Sequence, residues 1–314
     1  MAEKLYARDV YGQTLVELGR QDSQIVVMDA DLSGSTRTKV FAAEFPQRFF
    51  NVGVAEQNMM AIAAGLSSAG KIVFVSTFSM FATARALDQV RNLICYNNSN
   101  VKIVATHGGI TVGEDGASHQ ATEDISFFRS IPTMRIVVPS DGREAREAII
   151  AAYKTPGPFF IRLGRSKVTT LEGRPPFVLG KANLVREGSD IALISTGIML
   201  EQTLAAADIL AGRGLKAAVV NMTCIKPVDE EMIKTLAQSV RGFVTCEEHS
   251  IYGGLGSAVA EVLGENIPRP LRRIGVRNRF GQSGDPDVLM KEYNLLASDI
   301  VTAAESLVRD VCQA

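Results

Sequence analysis

Residues Thr106–Gln120 (THGGITVGEDGASHQ) contain two of the chain's three histidines, His107 and His119, with Glu114, Asp115, Ser118 and four glycines. Imidazoles suit proton transfer near neutral pH and hydrogen bonding to hydroxyls or phosphate. The alternative is a Gly-rich surface turn with solvated charges. Two of three histidines in one such segment argue against it. A metal site is disfavoured, because no third ligand stands at a familiar spacing. Glu56 is the sole acid of Asn51–Leu66 (NVGVAEQNMMAIAAGL) and falls at the expected start of a helix. The helix dipole alone would favour a carboxylate there. Burial would instead favour the protonated form and suit the group for sharing a proton with a bound ring. Phe78 and Phe81, in Ser76–Arg91 (STFSMFATARALDQVR), flank a strand-to-helix junction. They serve either as core packing or as a platform for a flat heterocycle.

These residues need a scaffold, and the hydrophobic pattern supplies one. Buried strands are expected at Ile25–Met28, Ile72–Ser76, Val101–Ala105, Ile136–Val138 and Phe159–Leu163. Helical spacing of apolar residues marks Ala55–Ser68, Ala82–Ile94 and Asp141–Tyr153, the last with Ser140 or Asp141 as N-cap. The polar stretch Thr169–Pro176 (TTLEGRPP) reads as a break. Strands then return at Ile191–Ser195, Ala217–Asn221, Gly242–Cys246 and Arg273–Val276. Helices are expected at Met199–Ala211, Asp229–Val240, Leu255–Leu263 and Ile300–Val311. This alternation predicts two doubly wound α/β domains with mostly parallel sheets, at 1–172 and 177–314, joined by a linker at 173–176. The loop Thr106–Gln120 then follows a parallel strand directly, where open α/β sheets place their ligands, and its glycines allow close backbone approach. Gly253–Ala258 (GGLGSA) before a helix suits close packing better than a phosphate site.

At 314 residues the chain is about twice the usual length of one domain. Apolar residues are 46% and charged residues 21%, enough for real cores. Lys+Arg 33 against Asp+Glu 34 gives a net charge of −1 and excludes a broad footprint for nucleic acid or an anionic membrane. No apolar run approaches the roughly 18–20 residues of a membrane span. The first residues lack the apolar core of a secretion signal, so a cytoplasmic location is expected. Cys95, Cys224, Cys246 and Cys312 are scattered and read as small buried residues rather than a disulfide or zinc framework.

Taken in order, the segments resemble the thiamine-diphosphate enzymes of the transketolase group. The resemblance rests on Ala30–Ser35 (ADLSGS), Gly53–Met59 (GVAEQNM), Ser76–Phe81 (STFSMF), His107–Gln120, Phe159–Ser166 (FFIRLGRS) and Arg279–Leu295 (RFGQSGDPDVLMKEYNL). It covers the whole chain, but only the second half of a full-length member: the pyrimidine-binding domain and the C-terminal domain. It implies transfer of a two-carbon ketol unit from a ketose phosphate to an aldose phosphate. It implies that Glu56 hydrogen-bonds a ring nitrogen of the cofactor's aminopyrimidine, that Phe81 stacks on that ring with Phe78 beside it, and that Asp31 and Val54 lie against the cofactor. His107 and His119 would contact substrate hydroxyls or phosphate, and Asp115 a sugar hydroxyl. Arg8, Ser35 and Arg165 would form the phosphate grip, arginine being suited to it by its planar fork. The chain departs from the pattern at Ala84, where many relatives carry a tyrosine near the ring.

The family holds the cofactor's diphosphate and a magnesium or calcium ion with a Gly-Asp-Gly motif, and this sequence has none. The resemblance therefore implies a partner: an N-terminal subunit carrying that motif, in an α2β2 heterotetramer. Three alternatives stand beside this reading. One is the beta subunit of a 2-oxoacid dehydrogenase, which would not need the histidine loop and the Arg/Ser set. The second is part of a deoxyxylulose phosphate synthase. The third is a catalytically silent assembly module, which would have no use for Glu56, Phe81 and both loop histidines.

Overall fold

A computed structural model describes residues 4–313, with side chains from Lys4 to Val311; Met1–Glu3 and the Cys312 side chain lie outside the described residues. The strands of the first part are β1 (Lys4–Tyr6), β2 (Ile25–Asp29), β3 (Phe49–Asn51), β4 (Ile72–Phe78), β5 (Val101–Thr106), β6 (Arg135–Val137), β7 (Phe159–Arg162) and β8 (Lys167–Thr169). Those of the second are β9 (Asn183–Arg186), β10 (Ile191–Ser195), β11 (Ala217–Asn221), β12 (Cys224–Lys226), β13 (Phe243–Ser250) and β14 (Leu271–Val276).

A seven-stranded sheet has the order β12-β6-β7-β5-β4-β2-β3, with every neighbouring pair parallel except β12–β6. A five-stranded sheet has the order β14-β13-β10-β11-β9, parallel except for β11–β9. β1 and β8 form a separate antiparallel ribbon. The expected α/β class with mostly parallel sheets is thus present. β2 shows why an uninterrupted apolar run makes a central strand. Val26 and Met28 face one core, with helix Glu56–Ser68, while Ile25 and Val27 face another, with helices Ala7–Gln21 and Gly142–Lys154. Burying each such side chain contributes roughly 1.5–3 kcal/mol. Asp141 caps Gly142–Lys154, its carboxylate accepting the Glu144 N–H at 2.7 Å.

The two halves are tightly joined. β12 comes from the second half of the chain yet forms the edge of the first sheet. One hydrophobic core runs from Val73 and Val75 through to Ile194 and Val220. The polar stretch between the halves is also anchored. Arg174, 4% exposed, lies 3.4 Å from Glu144 and 3.1 Å from Glu147. The glycines of Gly253–Ala258 admit close packing: the Glu247 carboxylate accepts from the Leu255 and Gly256 N–H groups at 2.7 and 2.8 Å.

Candidate functional site

The run β7-β5-β4-β2-β3 is parallel throughout, so all five carboxyl ends open on one edge of the sheet. Arg165 follows β7, His107 follows β5, Phe81 follows β4, Asp31 follows β2 and Glu56 follows β3. Residues up to 134 positions apart in sequence, Asp31 to Arg165, are gathered by strand order alone.

The ends of β2 and β3 are tied together. Asn51 Nδ2 donates to Asp31 Oδ1 at 3.0 Å, and Asn51 Oδ1 accepts from the N–H groups of Asp31 (3.1 Å) and Gly53 (3.0 Å). Asp31 takes φ +64°, a conformation that acidic side chains tolerate better than most. Val54 projects outward at 72% exposure. Two residues later Glu56 opens its helix with its side chain 1% exposed. Its carboxylate accepts from Arg85 Nη1 at 2.9 and 3.0 Å. The Arg85 guanidinium lies 4.2 Å from the Phe81 ring centroid.

From Phe81 the rings continue inward. Phe78 stacks on Phe81 at 5.9 Å and on the His107 imidazole at 3.8 Å. His119 meets Phe81 edge-on at 5.2 Å, and its Nδ1 lies 2.9 Å from Ser118 Oγ. His107, with φ +60°, is 3% exposed. Burial, then the charges of Arg8 and Arg165, hold its pKa down at about 3, so the ring is neutral at ordinary pH. Arg8 Nη1 lies 3.5 Å from Nε2 and can only donate, which places the ring proton on Nδ1, 2.8 Å from Thr106 Oγ1.

Arg8 also donates to the Ser35 carbonyl at 3.4 Å. Arg165 donates to the Val112 carbonyl and lies 3.1 Å from Glu114 and 4.0 Å from Asp115. Arg8, Arg165 and Lys167 line one open cleft of about 440 Å³ with Thr111, Glu114 and Asp285. The structure thus links Glu56 through Arg85 to Phe81, Phe78, His107, Arg8 and Ser35, with His119 against the rings, Arg165 lining the cleft beside Arg8, and Asp115 next to Arg165. No described hydrogen bond or ring contact ties Asp31 or Val54 to that chain, although both stand on the same edge.

Two features escaped the sequence reading. One is Arg85, whose signal was its place four residues after Phe81. The other is a buried network under the site. Arg162 donates from Nε to Asp124 Oδ2 at 2.7 Å, and from Nη2 to the Ala121 and Glu248 carbonyls at 3.0 Å each. Ser79, between the two phenylalanines, donates to the same Asp124 oxygen at 2.5 Å. Glu248 Oε1 accepts the Thr111 N–H at 2.5 Å, and His249 Nε2 lies 3.7 Å from Asp124 Oδ1. The visible signal was Glu247-Glu248-His249, three consecutive ionisable residues in a strand with no other charged side chain. Among the described residues, no group of three or more His, Cys, Asp or Glu is placed to hold a metal ion, and no helix is long and apolar enough to cross a membrane.

Comparison with known proteins gives two family matches: the transketolase pyrimidine binding domain at residues 3–170 and the transketolase C-terminal domain at 180–300. A chain of Methanocaldococcus jannaschii, provisionally named a transketolase C-terminal section, is 51% identical over 92% of this chain and 92% of its own. A 6-deoxy-6-sulfo-D-fructose transketolase subunit of a Clostridium strain is 43% identical over 97% of this chain and 95% of its own. A solved split-gene transketolase, described as an inactive beta4 tetramer, matches with a TM-score of 0.90 at 45% identity, covering 98% of this chain and 99% of that one. The chain therefore belongs to the thiamine-diphosphate-dependent transketolase family, of which it carries the pyrimidine-binding and C-terminal domains.

Proposed function

We propose that the chain is the C-terminal subunit of a split transketolase. With a separate N-terminal subunit it transfers a two-carbon ketol unit from a ketose phosphate to an aldose phosphate. The observation that carries this reading is Glu56, a carboxyl almost wholly withdrawn from water at the open edge of a parallel sheet, beside the stacked Phe81 and Phe78. The names of the relatives support it, as does the lack of a Gly-Asp-Gly motif in the sequence.

The residues fit the aminopyrimidine half of thiamine diphosphate, for a flat cation, the Arg85 guanidinium, already lies against both Glu56 and Phe81. Thiamine diphosphate supplies, when bound, the carbon nucleophile and electron sink that cleave and re-form the carbon–carbon bond. Glu56 holds a proton at a ring nitrogen, Phe81 and Phe78 wall the ring, and Asp31 and Val54 flank it. Neutral His107 accepts at Nε2 from a sugar hydroxyl that takes the place of Arg8 there, with His119 beside it. Asp115 accepts from a hydroxyl, and Arg8, Arg165 and Ser35 hold the phosphate in the cleft. The diphosphate and its Mg2+ or Ca2+ fall to the partner's Gly-Asp-Gly motif, in an α2β2 heterotetramer.

Reconstitution with the N-terminal subunit tests this. Glu56→Ala should abolish ketol transfer while the complex still assembles, and near-normal turnover would refute the assignment. Turnover by this chain alone, with cofactor, metal and sugar phosphates, would sink the split-enzyme reading.

A further inference from the structure

Arg85 has no place in the motifs that mark the site, yet it closes it. The residue ends a π-helical turn, Phe81–Arg85, and the Gln57 side-chain amide donates to its carbonyl at 3.0 Å. Turns of this kind often re-aim side chains at functional sites. Here the turn sends Arg85 back over Phe81. Every described hydrogen bond to the Glu56 carboxylate comes from its Nη1. The Glu56 side chain is 1% exposed and that of Arg85 46%, so the arginine stands between the carboxyl and water.

Two properties of the guanidinium matter. It is planar and stacks on an aromatic face, and it presents N–H groups in its own plane to a carboxylate. An aminopyrimidine is also flat, stacks on the same kind of face and meets a carboxyl through in-plane nitrogens. The arginine thus makes both contacts that the ring would make, with the same two residues.

We propose that Arg85 is a placeholder for the cofactor ring. It pairs with Glu56 and covers Phe81 until the ring enters, then swings outward to solvent. A buried carboxyl left without a partner is costly, and Arg85 spares the empty site that cost. The half-exposed guanidinium can leave because water solvates it at once. This rests on the reading that Glu56 and Phe81 take the aminopyrimidine. Its consequence is that the ring must displace an ion pair and a cation–π contact, which weakens cofactor binding.

The test is calorimetric binding of thiamine diphosphate, with Mg2+, to the reconstituted complex. Arg85→Ala should tighten the dissociation constant by about fivefold or more, the size expected for one half-exposed ion pair and one cation–π contact together. Arg85→Lys, which keeps the charge but loses the planar fork, should fall between. In the wild-type chain, the Arg85 Nη1 protons should exchange slowly with solvent without cofactor and fast at saturation. An unchanged or weakened constant in Arg85→Ala, with wild type binding normally and Glu56→Ala inactive, would overturn the placeholder alone. Absence of binding in every variant, wild type included, would overturn it together with the proposed function.

Discussion

Replacing Arg162 by Met should cost the folded chain about 3–5 kcal/mol, the usual loss when one partner of a buried ion pair is removed. The side chain is 5% exposed, and its Asp124 partner is fully enclosed. Met fills much of the volume but leaves Asp124 without a cation and takes one donor from each of the Ala121 and Glu248 carbonyls, of which Ala121 keeps the Gly109 N–H at 2.9 Å. The chain has no tryptophan, so urea unfolding is best followed by circular dichroism. For a chain of 314 residues the corresponding fall in Tm is about 5–8 °C. The double variant Arg162→Met with Asp124→Asn removes the stranded charge and should recover at least about 1 kcal/mol relative to additivity. A loss under about 1 kcal/mol in the single variant, or strict additivity in the double, would refute the view that the Arg162–Asp124 pair stabilises the fold.

Three further outcomes are expected. The His107 ring should stay neutral by NMR as pH falls from 7 to 5. Its folded pKa, near 3, lies below the unfolded value, so its contribution to stability is present above about 6.5 and is lost as pH falls toward 3; Arg8→Ala should move that pKa upward, since the Arg8 charge helps depress it. Gly109 takes φ +91°, and a Cβ there would fall 2.3 Å from the Glu248 carboxyl carbon, so Gly109→Ala should cost about 2 kcal/mol or more in thermal unfolding and displace the histidine loop. In the reconstituted complex, Arg165→Ala should raise KM for phosphorylated substrates with kcat largely kept, and an unchanged KM would count against the phosphate grip.

What could be read from the sequence follows from physical range. The central strands are buried on both faces, so their apolar runs are continuous and visible. Helix Ala7–Gln21 is less visible because Gly12 and Gly19 interrupt its pattern. The fold needs those glycines: a Cβ at Gly12 would sit 2.7 Å from the Arg37 carbonyl oxygen, and one at Gly19 2.6 Å from the Phe41 ring. The stretch Thr169–Pro176 looks like a free linker because the two carboxylates that bind Arg174 lie about 30 residues away. Glu56, Phe81 and His107 could be singled out because each lies after a strand, although only the resemblance chose between their structural and functional readings. Arg85 and the Arg162 network were not, because their meaning lies in partners 29 to 86 residues distant.

β12 carries a consequence for how such a gene can be cut. The polar break between the domains invites division of the chain there. The fragment ending there would lose the strand that covers β6, baring three residues of hydrogen-bonding edge and the apolar surface behind it. The other fragment would carry an unpaired Cys224–Lys226 with nothing to lie against. The two domains thus share one sheet and one core. A cut at the seam that looks most permissive is the one the shared sheet forbids.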